Sequence, residues 1–242
     1  VGSPSQAAIG ESDPFYNERL AKQFTEFDLA KANEFLDKVA PNKDGDGFRL
    51  DSSGRRISIV FEQDQNRLEM VDMMQLLMPM LKAVGIDGQL KLIDRSLWEV
   101  RIRQNMDYDA TTNRFGGGIG LAAILDPRYF VPYSDNAFYA PGWQIWYNDK
   151  SAANAVEPPA QVQEALKLYD VMKSTVDETE RTDAFKKILE IAADQFYTVG
   201  IKVPNDAYGV VKNDFHNVPE RMPNSFGYPT PAPTNPEQYF KA

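Results

Sequence analysis

Asn42-Lys43-Asp44-Gly45-Asp46-Gly47 places side-chain oxygens at the first, third and fifth positions of a calcium-type loop, with glycine at the sixth. The pattern then fails. Ser53 holds the twelfth position, where a bidentate Glu closes such loops, and Arg49 holds the eighth, where an apolar residue packs. A polar turn ahead of a hairpin is the simpler reading. Gly118-Ile119-Gly120-Leu121-Ala122-Ala123 matches the dinucleotide pattern G-x-G-x-x-A. That chemistry needs a long helix starting there and an acid about 20 residues further on. Asp126-Pro127 comes too soon for the helix, and no clear second strand supplies the acid. The stretch reads instead as backbone that turns tightly or approaches something closely. His216, the sole histidine, has no G-x-S-x-G elbow to serve and too few companions for zinc. The absence of cysteine removes disulfides, thiolate nucleophiles and Cys-based zinc sites. Asp107 and Asp109 would share a strand face around Tyr108. A carboxylate pair for glycoside hydrolysis stays open among the 35 acidic residues, though no pattern singles one out. No catalytic residue, metal ligand or cofactor is assigned.

Aromatic residues carry more signal. Trp98, Phe115, Tyr129, Phe130, Tyr133, Phe138, Tyr139, Trp143, Trp146 and Tyr147 crowd one stretch of chain. A flat apolar face with a polar edge suits sugars, peptide side chains and amide planes. Trp98 reads as core on a helix. Trp143 and Trp146 follow Pro141-Gly142 in a region read as loop, and stand evenly between packing and binding.

These residues need a scaffold. The 242 residues suffice for a sizeable core, the net charge of −9 argues against a nucleic-acid partner, and no apolar run approaches a membrane span. Asp28 is a good N-cap for a helix carrying Leu29, Ala32, Phe35, Leu36 and Val39. Residues 48–50 and 57–61 read as a hairpin around the turn at 51–54. The strongest helix covers 66–84, with Gly85 as its stop and Pro79 predicting a kink or early break. A strand over 86–93 follows, then a helix from Ser96 to Asn105 and a strand over 108–112. Residues 113–159 read as long loops with short elements. Two helices come next, one after Pro158-Pro159 and one capped by Asp177, then strands at 199–203 and 208–212. The Pro-rich end reads as an extended strap. Val1 to Gly10 lack the features of a signal peptide and no Met opens the chain, so it reads as a piece of something longer.

Several pieces, in order, resemble the peptide/nickel-type (family 5) extracytoplasmic solute-binding proteins of ABC transporters. Phe27-Asp28-Leu29-Ala30-Lys31-Ala32 is similar to that family's Y-D-P-x-K-A helix start. Gly47-Phe48, Leu81 to Ile86, Tyr108-Asp109-Ala110, Asp126-Pro127 and Asp177 to Arg181, followed by Gly200-Ile201, are similar to its later segments. The resemblance implies an α/β fold: the C-terminal lobe of a type II periplasmic-binding-protein-like architecture, a mixed sheet with flanking helices. It implies a solute-binding lobe over 1–213 and a strap over 214–242 that packs on a missing N-terminal lobe. It also implies capture of a peptide or peptide-like solute by hinge closure, an ABC permease as partner, and a periplasmic, extracytoplasmic location. An oligosaccharide-binding member of the same family and a carbohydrate-active enzyme remain as alternatives. Arg114, Phe115, Gly116, Gly117, Gly118, Trp143 and Trp146 are the expected cleft residues. The glycines would let backbone amides reach the solute, Arg114 would meet a carboxylate, and the indoles would stack. One departure stands out: no acid occupies the place, just before Asp126-Pro127, where peptide-binding members hold the solute's amino group.

Overall fold

The computed structural model describes residues 2–114, 121–203, 208–222 and 231–242, and only the backbone of Leu121, Ala122 and Pro233. The chain forms two compact units, Glu26–Arg114, and Val1–Thr25 with Phe115–Ala242.

The unit Glu26–Arg114 is a βαβ arrangement with a helix in front. The chain's first helix, α1 (Glu18–Lys22), belongs to the other unit; α2 (Leu29–Val39) starts as expected at Asp28, whose side chain accepts from Lys31 N. β2 (Ser58–Asp64) leads into α3 (Leu68–Ala83), which returns the chain to β3 (Asp87–Ile93), paired in parallel with β2 from Ser58↔Asp87 to Asp64↔Ile93. The expected hairpin is therefore corrected. Residues 50 and 56 form a single antiparallel bridge, and the strand beyond takes its partner from the far end of α3. Pro79 does not break α3, which runs on to Ala83. The helix then stops at Gly85 (φ +86°): Gly85 N donates to Lys82 O and Ile86 N to Leu81 O, the paired bonds of a Schellman ending. Asp94, not Ser96, caps α4 (Arg95–Glu99), because its carboxylate accepts from Ser96 N. A π-helical segment, Val100–Asn105, continues α4. The expected strand at 108–112 is reduced to one parallel bridge, Phe61↔Ala110. Met70, Val71 and Met74 of α3 are buried, as are Ile93, Trp98 and Ile102.

The other unit is mostly helical. α7 (Ala160–Ser174) and α8 (Glu178–Gln195) bury Val162, Leu166, Met172, Phe185, Ile188 and Leu189 in one core. Phe15 and Phe130 meet Phe185 edge-on, with ring centroids 5.1 and 6.2 Å away. Arg19 ties α1 to α8 through Glu190 and Asp194. The region read as loops contains α5 (Leu121–Leu125) and α6 (Pro141–Asn148). Pro141 opens α6, where its fixed φ suits the first turn and its missing N–H costs nothing. β1 (Ser3–Pro4) pairs with β4 (Lys202–Val203), and β5 (Phe215–His216) with β6 (Phe240–Lys241), both antiparallel. No strand forms over 208–212. The α/β class holds, and the strands lie in three two-stranded sheets among the described residues. No described helix is long and apolar enough to cross a membrane.

Candidate functional site

In the unit Glu26–Arg114 polar side chains gather at the carboxyl end of β2. Glu62, Gln63 and Asp64 are all buried, against the usual preference for apolar residues on a covered strand. Each has a partner. Gln63 meets Thr112, and Asp64 accepts from Asn66 N at 3.0 Å. The carboxyl ends of parallel strands are where α/β units hold ligands. Arg114 lies at this edge. Its guanidinium pairs with Glu69 on the first turn of α3 (Nε to Oε1 3.0 Å), and its backbone N–H donates to Asn113 Oδ1. Any role for Arg114 toward a solute carboxylate has to compete with Glu69.

The calcium-type motif resolves into a salt-linked turn. Arg56 meets Asp44 at 2.7 Å and Asp46 at 2.8 Å, while Asp44 Oδ1 accepts from Asp46 N and Phe48 N. A guanidinium thus occupies the place between the carboxylates. An open depression of about 640 Å³ lies beside β2 and β3, lined by Gln89, Lys91, Arg101, Asp107 and Asp109 around Glu62. Its acids are paired: Arg101 grips both Glu62 oxygens at 2.6 Å, Lys91 adds a contact at 2.9 Å, and Asp107 meets Arg101 at 2.7 Å. Burial alone would raise the Glu62 carboxyl, but the bonds from Arg101 and Lys91 outweigh it and hold it below the ordinary range. A general acid needs the opposite setting, an unpaired carboxyl in apolar surroundings.

In the helical unit Trp143 and Trp146 sit on α6, not in a loop, and they differ. Trp143 packs against the core and meets Tyr197 edge-on at 4.9 Å. Trp146 is half-buried, with the Lys150 ammonium 4.3 Å above its ring. Tyr147, one turn after Trp143, donates to Asp170 and accepts from Lys173 at 2.6 Å, and its ring lies 6.5 Å from Tyr169. Tyr133 stacks on Tyr169 at 4.4 Å and donates to Asp126 at 2.7 Å. The aromatic stretch of the sequence holds Tyr133 and Tyr147 but gives no link between them or to Tyr169. The usable signal was Tyr169 and Lys173 at helical i, i+4 spacing. Arg128 closes on Asp126 (Nε to Oδ1 2.7 Å). With Tyr133 it holds that carboxyl low despite burial. Phe115, Gly116, Gly117 and Gly118, with most of the G-x-G-x-x-A pattern, lie outside the described residues. Arg114 and the two tryptophans fall in different units. His216 is exposed and stacks on Phe240 at 5.0 Å.

A parallel β2–β3 pair with a polar carboxyl edge, joined in one chain to an aromatic-bearing helical unit, has the type II periplasmic-binding-protein fold. Its architecture is similar to that of the oligopeptide-binding protein OppA (24% identity, TM-score 0.79), covering all of this chain and 40% of that one. It is also similar to AppA of Bacillus subtilis, solved with a nonapeptide (21%, TM-score 0.62, all of this chain and 43% of that one). A third likeness is to a periplasmic oligopeptide-binding protein of Thermotoga maritima, solved with mannohexaose (18%, TM-score 0.59, 90% and 39%). The chain thus spans about two fifths of the length of these relatives. No curated protein matches it significantly. The chain belongs to the bacterial extracellular solute-binding proteins, family 5, whose middle-region model matches residues 1–136.

Proposed function

We propose that this chain is the C-terminal lobe, with its tail strap, of the solute-binding component of an ABC importer. The component captures a peptide or peptide-like solute by hinge closure and hands it to the permease's transmembrane subunits, in the periplasm or its equivalent. Family membership over residues 1–136 is the observation that carries this reading. Capture by closure needs no catalytic residue; the solute selects the closed state through contacts to both lobes. The cleft residues are Arg114, Phe115, Gly116, Gly117, Gly118, Trp143 and Trp146. Of the two indoles Trp146 is the better platform, since Trp143 spends part of its surface on the core. Residues 1–213 form the solute-binding lobe, and 214–242 pack as a strap on an N-terminal lobe. An oligosaccharide is the second reading, favoured by the mannohexaose in a similar fold.

Calorimetry on the full-length protein with peptide and sugar panels separates the two. Heat is expected with peptides, and Trp146→Ala weakens binding about tenfold, the scale of a lost aromatic contact. Heat with sugars alone would replace the peptide reading by the oligosaccharide one. Unchanged affinity in Trp146→Ala would remove the indole from the site.

A further inference from the structure

We infer that the outer edge of β3 is an interface between two copies of this protein, which pair their β3 strands antiparallel about Leu90. This pairing is independent of the solute and of the transport role.

In the unit Glu26–Arg114, β3 has β2 on one side and no strand on the other among the described residues. Hydrogen bonds fix which groups face out. Asp87 N donates to Ile57 O and Gln65 N to Ile93 O, so Asp87, Gln89, Lys91 and Ile93 turn their N–H and C=O toward β2. Gly88, Leu90 and Leu92 turn theirs away from it. Gly88 N is used locally, on Ile86 O. The Gly88 carbonyl and both backbone groups of Leu90 and Leu92 have no strand partner among the described residues. Such an edge takes up a further strand unless proline, a bulge or free charge guards it. β3 has no proline, and its register to β2 runs unbroken over seven residues. Its lysine, Lys91, is bound to Glu62 at 2.9 Å. Leu92 is 44% exposed beside the open backbone groups.

A second copy fits because β3 is complementary to itself. With Leu90 opposite Leu90, each exchanges both N–H···O bonds with its counterpart, and each Leu92 N–H reaches the Gly88 carbonyl of the other copy. A Cβ on Gly88 would meet Leu81 of α3, so Gly88, Leu90 and Leu92 share the face toward α3. There the glycine leaves room across the strands for Leu92. On the other face Gln89 stands opposite Lys91, and no like charges oppose each other. A register centred on Lys91 would oppose two ammonium groups. One centred on Gln89 would set Leu92 against Ile86, whose N–H is spent on Leu81 O and whose C=O takes Gly88 N. Of these registers, the one centred on Leu90 pairs all three outward-facing residues without conflict.

The test is sedimentation velocity on the 242-residue chain and on the full-length protein. Amide hydrogen exchange is read residue by residue alongside it, from about 10 µM to about 1 mM, the range of weak self-association. A reversible monomer–dimer equilibrium is expected in both. Exchange at the Leu90 and Leu92 amides should slow as the dimer fraction grows, while the Gln89 and Lys91 amides, bonded to β2, change little. Leu92→Lys should weaken the dimer about tenfold or more, since two leucines leave the interface at once. Val176→Lys, at a position 97% exposed between α7 and α8, should not. The unaltered chain decides the matter even where the variant fails to fold. A monomer throughout, with fast exchange at Leu90 and Leu92, overturns the interface. So does a dimer in which those two amides stay fast. Slow exchange there at every concentration also overturns it, because a segment of the same chain then covers the edge. A dimer that the 242-residue chain forms and the full-length protein does not overturns it as well.

Discussion

Arg49 puts a buried positive charge between the ends of two helices. Its Nε donates to Val84 O at the end of α3, and one terminal nitrogen donates to Ala40 O at the end of α2. Asn33 and Asp37 take two more of its donors. The carbonyls at helix ends lack intrahelical partners and carry partial negative charge, so one guanidinium satisfies both. Gly85 permits this packing: a Cβ there would sit 2.9 Å from Arg49 Cγ, in a left-handed backbone that favours glycine anyway. The sequence showed Arg49 as a misfit in a calcium-type pattern. Its positive role was hidden because its partners lie 9 and 35 residues away. Arg49→Met should destabilise this unit by about 3 kcal/mol, since it orphans two buried carbonyls. Hydrogen exchange of the α2 and α3 amides measures it; unchanged protection would mean that water replaces the guanidinium without loss. Glu62 supports a second prediction. Its folded carboxyl titrates below the ordinary value, so its stabilisation is full above the unfolded pKa of about 4.3 and fades as pH falls through the lower folded value. Arg101→Gln removes the stronger partner and lets the carboxyl rise. Acid loss of structure should then begin at higher pH than in the unaltered protein, as followed by circular dichroism. An unmoved acid limb would assign the low value to Lys91.

At the scale of elements, signals that close within a few residues were legible. Asp28 and Asp177 are caps in the structure as in the sequence, and Gly85 ends its helix. The order Asp177 to Arg181 gains a physical cause. Asp177 accepts from Thr179 N and Glu180 N, while Arg181 reaches back to Thr175 O at 2.8 Å. Asp177→Ala should cost about 1 kcal/mol, the usual worth of such a cap, and fray the first turn of α8. Amide exchange at Thr179 and Glu180 reads this; protection equal to the unaltered chain would show that Arg181 alone fixes the turn. Pairing was not legible. The strand at 57–61 had turn residues before it and matched a hairpin, yet its parallel partner lies beyond α3. Helix α2 shows the same limit: the spacing of Leu29, Phe35 and Val39 is helical, but no residue of α2 is buried and Val39 is 79% exposed. Periodicity states which face is apolar, not what covers it. For α6 the aromatic density drew attention to the right residues. Pro141, which in sequence marks a loop, is the helix's first residue.

The whole molecule sets one more limit on what local patterns tell. The chain leaves the first unit after Thr25, completes a second within Glu26–Arg114, and returns at Phe115. Such an excursion leaves no mark in composition, and no pattern in the sequence sets a boundary at 26 or 114. Gly200 illustrates how the outer segments meet. A Cβ there would collide with the backbone of Gln6 and Ala7, and Gln6, buried, accepts from Gly200 N at 2.7 Å while donating to Gln23 O. The contact joins positions 194 residues apart within one unit and leaves 26–114 out of it. That inner segment has its own apolar centre in Met74, Trp98 and Ile102, with the Trp98 indole donating to Thr111 and Thr111 to Glu62 O. A core of this kind, in a segment longer than the smallest independently folding domains, should hold together by itself. Residues 26–114 expressed alone are therefore expected to unfold cooperatively in urea, with Trp98 fluorescence and far-ultraviolet circular dichroism changing together. Non-coincident or featureless transitions would show that its buried polar strand end depends on the rest of the protein.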